Sequence, residues 1–147
     1  MRFMMMFQAS EASEAGQMPS EKSLTEMTLV MSEMAEKGVL LAGEGLLPSS
    51  EGFRMQLSNG KQRVVDGPFA ETKELIAGFC LIEVGSREEA LEWGWRCLAA
   101  DDGNSSGLEI RQVAGPDDFG AEFTPEARAR EEQTFLKAAE NLQKSNT

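Results

Sequence analysis

The sequence predicts an α+β fold, and three observations carry that prediction. Glu21 to Lys37 and Arg87 to Ala99 repeat apolar residues at the three-to-four-residue spacing of a helix face. Short apolar or alternating segments stand before, between and after them, as strands do. Ser58-Asn59-Gly60 joins two of those segments with a strong hairpin signal, because Asn and Gly both tolerate positive φ.

In chain order, Met1-Arg2-Phe3-Met4-Met5-Met6-Phe7 reads as a buried strand. It is too short for a signal sequence, and it gives way to acidic Glu11 and Glu14 with no small-residue cleavage site. A polar passage, Gln8 to Ser20, leads into the first helix, whose stripe is Leu24, Met27, Met31 and Met34. Ser20 is the expected N-cap, with Ser23 as the alternative, and Lys37-Gly38 supplies a positive last turn and a terminating glycine. Val39 to Glu44 is a continuous apolar strand that ends in Gly43-Glu44-Gly45. Gly52 to Leu57 and Lys61 to Asp66 form the hairpin, where Phe53, Met55 and Leu57 alternate with Arg54 and Gln56, so one face should be buried.

Ile76 to Val84 is the next strand. The second helix follows, capped by Ser86 with Glu89 completing a capping box, and its expected stripe is Ala90, Leu91, Trp95 and Leu98. Trp93 and Trp95 cannot share one helix face, so Trp95 is assigned to the core and Trp93 to the surface or an interface. Asp101 to Ser106 links to a last strand, Leu108 to Val113. A third helix spans Thr124 to Asn141, with Thr124 as cap and Pro125 in the first turn; it packs on its own chain, packs on a partner, or frays. The result is a ferredoxin-like βαββαβ sandwich with an inserted hairpin, a single domain with a core region 1–115 and a helical extension 116–147. Both helices fall on one sheet face, and covering the other with a second copy predicts a homodimer.

The 147 residues are 41% hydrophobic and 27% charged, with 14 Lys+Arg against 25 Asp+Glu for a formal charge of -11. That balance repels a phosphate backbone, so no nucleic-acid partner is expected. No stretch approaches the ~20 apolar residues of a membrane span, so no membrane partner is expected either. Cys80 and Cys97 look like free thiols in packed elements, which suits the cytoplasm. With no histidine and no paired cysteines, zinc is not expected, and Asp66, Glu44 and Glu71 match no metal-binding spacing, so neither metal nor cofactor is assigned.

Asp66-Gly67-Pro68-Phe69-Ala70-Glu71-Thr72-Lys73-Glu74 closely resembles the signature of the DGPF branch of the YCII-related proteins. The likeness runs from Met1 through Gly43-Glu44-Gly45-Leu46 and Gly78-Phe79 to Val113. It implies pairing as a dimeric α/β barrel around a ligand-sized cleft. Genes of this family often sit beside those of extracytoplasmic-function sigma factors, so the resemblance also implies a sigma factor as a partner. Relatives outside the branch have been proposed to use a His-Asp pair, which a chain without histidine cannot do.

Read physically, Asp66 either accepts hydrogen bonds from the turn after its strand, or places a carboxylate at a cleft mouth for acid–base work. Glu44, a carboxylate ending an apolar strand between two glycines, is the other catalytic candidate. Phe69 plugs the core or stacks on a ligand. Glu71, Thr72 and Lys73 offer a carboxylate, a hydroxyl and an ammonium that hold a polar small molecule or cap the next turn, the cap being the expectation for Thr72. Lys73 is placed to pair with Asp66 or Glu44, or to receive an anionic group. Arg54 and Arg63, on paired strands, form an anion site or a solvated surface. Two functions are open: this set suits binding of a small polar or anionic molecule in a cleft, with or without carboxylate catalysis, while the resemblance implies the alternative of a non-catalytic regulatory module functionally linked to an extracytoplasmic-function sigma factor.

Overall fold

The computed structural model describes residues 1–146 and divides into two compact units, Met1–Val113 and a second beginning at Ala114. In the first unit, β1 (Arg2–Gln8), α1 (Glu11–Glu14), α2 (Glu21–Glu36), β2 (Leu40–Gly45), the hairpin strands β3 (Phe53–Ser58) and β4 (Lys61–Asp66), β5 (Ile76–Glu83), α3 (Arg87–Asp101) and β6 (Gly107–Gln112) follow in order. The second unit holds α4 (Pro125–Ser145), capped by the Thr124 hydroxyl and carrying proline in its first turn.

The main sheet is antiparallel, in the order β2-β5-β1-β6. With the hairpin set aside, this is the ferredoxin-like arrangement expected from the element order. Alternation along β1 sends Phe3, Met5 and Phe7 to one side, where they meet Cys80 and Ile82 of β5, Val30 and Met34 of α2, and Ala90, Trp93 and Cys97 of α3. Both helices therefore cover the same face. Met4 and Met6 point the other way, paired across the strands with Leu81 and Phe79, and they stay partly exposed.

The caps form as the sequence dictates. Ser20 accepts from the Ser23 amide, and Ser86 from the Glu89 amide. The Glu89 carboxylate reaches the Gly85 amide, one residue upstream of the reciprocal bond of a capping box. In the hairpin turn Asn59 and Gly60 both take positive φ, 50° and 77°. Part of the passage before α2 coils into α1, whose cap Ser10 exchanges hydrogen bonds with Ser13.

The buried faces depart from expectation in three places. In α3 the core stripe is Ala90, Trp93, Gly94, Cys97 and Ala100, while Trp95 is 68% exposed, so the two tryptophans exchange the places assigned to them. The cause is close packing on the sheet: a Cβ at Gly94 would lie 3.2 Å from the Ile110 side chain, so the helix approaches along its small residues. In α2, Leu24 is half exposed and Ser23 is buried in its stead. The Ser23 hydroxyl is within bonding distance of the carbonyls of Ala100 and Asp101, two of the unpaired acceptors at the end of α3.

The third departure is the hairpin. It forms its own two-stranded sheet, and Phe53, Met55, Leu57 and Val64 are each at least 60% exposed, so the face expected to be buried is open in the single chain. Arg54 stands opposite Val65 and Arg63 opposite Gln56. The two arginines therefore share a face as diagonal neighbours and do not meet head on.

Candidate functional site

The most specific sequence feature, the Asp66–Phe69 segment, is a loop held from below by two residues that sequence reading did not single out. The Glu14 carboxylate accepts from the Ser49 amide at 2.8 Å and from the Ser49 hydroxyl, and that hydroxyl accepts from the Phe69 amide at 3.0 Å. The Gly67 amide donates to the Gly52 carbonyl, and the Gly67-Pro68 peptide is cis. A Cβ on Gly67 would sit 1.8 Å from the Ser49 carbonyl oxygen, so this position admits glycine alone. Phe69 is half-buried, with the Arg54 guanidinium 3.9 Å from its ring centroid, so it rests beneath a cation and does not plug the core. Asp66 is exposed, and its carboxylate accepts none of the turn amides among the described residues.

Thr72 to Glu74 make a 3-10 turn without a side-chain cap, so Thr72 does not take the capping role expected of it, and Glu71 occupies the cap position through its backbone. Lys73 borders a cavity of about 360 Å3 with Met6, Gln8, Glu74, Ile76 and Glu109. Met6 and Glu109 are cross-strand partners on the sheet face away from the helices. Glu44 borders a different cavity, so the structure does not gather Lys73, Asp66 and Glu44 around one space.

That other cavity, about 280 Å3, lies between α2 and the ends of β2 and β5. Met27 and Met31 form its helix side, Phe7 and Cys80 its floor, and Gly43, Gly45, Ala77 and Gly78 its sheet side. The space exists because those strand residues are small where the helix opposite carries long thioethers. Asp101, Asn104 and Ser105 make a polar lip at the end of α3. The Asp101 carboxylate, 8% exposed, accepts from the Ser105 amide at 2.5 Å. Glu44 lies opposite Phe79 in the register, between Gly43 and Gly45, and a Cβ at Gly43 would point at Met31. Alternation therefore turns Glu44 toward the opposite sheet face, and it borders the cavity from the strand edge.

Among the described residues, no buried side-chain nitrogen or oxygen lacks a hydrogen bond, so the cavity presents no orphaned polar group. Shape and apolar contact dominate it. Burial pushes the Cys80 thiol up to about 11 and the Cys97 thiol up to about 12, so both are neutral packing groups near neutral pH. The Cys80 sulfur lies 3.7 Å from the Met31 sulfur. Elsewhere, Glu33 of α2 accepts from Arg96 of α3 and pairs with Lys37 at 2.9 Å, and both cations lie over the Trp93 ring. These partners hold the Glu33 carboxyl at about 2, and the cluster clamps the two helices together on their exposed side.

Of the cavity's residues, only Glu44 was named as a candidate, on the strength of its glycine neighbours. Those glycines were the available signal. Nothing local marks Asn104 or Ser105, which reach the lip through the packing of α3. No helix is long and apolar enough to cross a membrane among the described residues.

The chain has similar proteins among those already known. An uncharacterised protein of Rhizobium meliloti strain 1021 is 34% identical over 94 residues, 64% of this chain and 75% of that protein. Among solved structures, the 5-chloro-2-hydroxyhydroquinone dehydrochlorinase TftG of Burkholderia phenoliruptrix AC1100, in complex with 2,5-dihydroxybenzoquinone, is similar at a TM-score of 0.43 and 11% identity. That match covers 82% of this chain and 100% of the other. The model of the YCII-related domain matches residues 1–114, the whole of the sheet and both of its helices, and the chain belongs to that family.

Proposed function

We propose that this protein binds a small molecule with an apolar body in the cleft between α2 and the ends of β2 and β5. The observation that supports this reading is a cavity of about 280 Å3 in which glycines on adjacent strands face Met27 and Met31. An apolar cavity of about 150 Å3 suffices for benzene, so a single ring with a short substituent fits. Asn104 and Ser105 at the lip are the groups to fix its orientation. The Asp101 carboxylate at the lip disfavours an anion there, and Lys73, Arg54 and Arg63 do not line the cleft. The ligand is therefore neutral or cationic.

A fragment screen by NMR tests this. Hits should move the methyl signals of Met27 and Met31 and the amides of Gly43, Gly45 and Gly78 together. Hits that cluster elsewhere, or a screen of single-ring compounds without a hit at these residues, would refute it.

We propose further that the chain works as a homodimer through the sheet face that carries Met4, Met6, Leu81 and Phe79, since neither helix covers it. Light scattering should give twice the chain mass at micromolar concentration, and Leu81→Lys should return it to one. A monomeric parent protein would sink this second proposal and leave the first standing.

A further inference from the structure

We infer that the missing side chain of Gly45 sets the width of the cleft and so the bulk of the ligand it admits, an inference that rests on the binding reading above. Three glycines line the sheet side, and they are not equivalent. A Cβ on Gly43 would lie 3.2 Å from both the Met31 methyl and the Phe79 carbonyl oxygen. A Cβ on Gly78 would lie 3.0 Å from the Glu44 carbonyl oxygen and 3.4 Å from the Gly45 Cα. Close packing accounts for both.

Gly45 has no such reason. A Cβ there meets nothing within 4 Å, and its φ lies outside the left-handed region, so any L-residue fits its backbone. Gly45 is the last residue of β2 and is exposed, so neither packing nor backbone conformation demands a glycine there. Gly45 pairs with Gly78, two residues beyond the Gly43–Cys80 pair, so it presents the same sheet face as Gly43, toward α2. Gly45 is exposed at the strand end, so a side chain on that face would extend from it into the mouth of the cavity that it lines. The missing side chain is the opening.

The test uses the full chain and three variants of ligand bulk: cyclohexylmethanol, benzyl alcohol and 2-naphthalenemethanol, titrated by NMR into the parent protein, Gly45→Ala and Gly45→Leu. The parent should bind the single-ring alcohols with shifts at Met31 and Gly43. Gly45→Ala should weaken the naphthyl compound while sparing the others. Gly45→Leu should weaken all three by about tenfold or more, the loss expected when a close-packed site must shed its occupant's volume. Both variants should unfold no more readily than the parent, as measured by thermal melting, which separates a filled cleft from a damaged fold.

If the parent binds at these residues and Gly45→Leu binds equally well, the gate is wrong and the cleft reading survives. If no probe binds the parent at these residues, the cleft reading falls and the gate with it. A change of oligomeric mass in Gly45→Leu would also overturn the inference, because the glycine would then serve an interface.

Discussion

Replacing Ser49 with alanine should cost the fold about 2 kcal/mol, because one hydroxyl holds two segments at once. It donates to the Glu14 carboxylate and accepts from the Phe69 amide at 3.0 Å, tying α1 to the Asp66–Phe69 loop across 35 and 20 residues of chain. A hydrogen bond to a charged group is worth about 1.5–3 kcal/mol and a neutral one about 0.5–1.5. All the partners are only half-buried, so water recovers part of each bond and the lower end of the combined range applies. The Ser49 amide keeps its own bond to Glu14 at 2.8 Å, which further limits the loss. Urea unfolding gives the free energy, and hydrogen exchange at the Phe69 amide gives the local effect, which should be a clear loss of protection. The pair Glu14→Gln and Ser49→Ala should be less than additive, since either change breaks the same link. Ser49→Ala within about 0.5 kcal/mol of the parent, or strict additivity with Glu14→Gln, would refute the anchoring argument; surface changes alone fall in that range.

Other outcomes follow from separate regions of the same unit. Glu33 titrates at about 2 in the folded chain against 4.5 unperturbed, so its stabilising contribution is complete above pH 4.5 and is lost as pH falls through 2. The stability gap between parent and Glu33→Gln should be flat at neutral pH, close on acidification across that window, and shrink with added salt. Cys80 and Cys97, both under 3% exposed, should resist a thiol reagent at pH 8 in the native protein and react only at the rate of unfolding. Acrylamide should quench the fluorescence of Trp93→Phe readily and that of Trp95→Phe poorly, because the remaining tryptophan is exposed in the first and 7% exposed in the second. Met5→Ala, at a fully buried position, should cost about 2–5 kcal/mol by denaturant titration.

Local chemistry made most elements of the fold legible. The hydroxyls of Ser20, Ser86 and Thr124 cap helices because each precedes a run with unpaired amides, and a cap needs only residues within one turn. Asn59-Gly60 turns the hairpin for an equally local reason. Faces were harder. In α3 the large apolar residues pointed to Leu91 and Trp95, yet a helix lies closest to a sheet along its small residues, here Ala90, Gly94 and Ala100. A stripe read by hydrophobicity alone is rotated away from that line. Ser23, read in the sequence only as an alternative cap, is instead a buried residue: its hydroxyl is covered because α3 ends beside it, a fact of tertiary packing 77 residues away.

The site follows the same division between local and non-local causes. Asp66-Gly67-Pro68-Phe69 is legible because it is contiguous, but what holds it lies elsewhere in the chain: the Ser49 carbonyl, 1.8 Å from the would-be Cβ of Gly67, the Ser49 hydroxyl, which accepts from the Phe69 amide, and the Arg54 guanidinium over the Phe69 ring. The cleft is built the opposite way, from the absence of side chains on β2 and β5 beneath two methionines of α2. An absence carries no pattern of its own. Gly43, Gly45 and Gly78 become a single feature only when the register sets Gly45 beside Gly78 and Gly43 beside Cys80. Within that feature, packing explains Gly43 and Gly78 and leaves Gly45 unexplained, so the residue with the least contact is the one whose substitution says most about what the cleft holds.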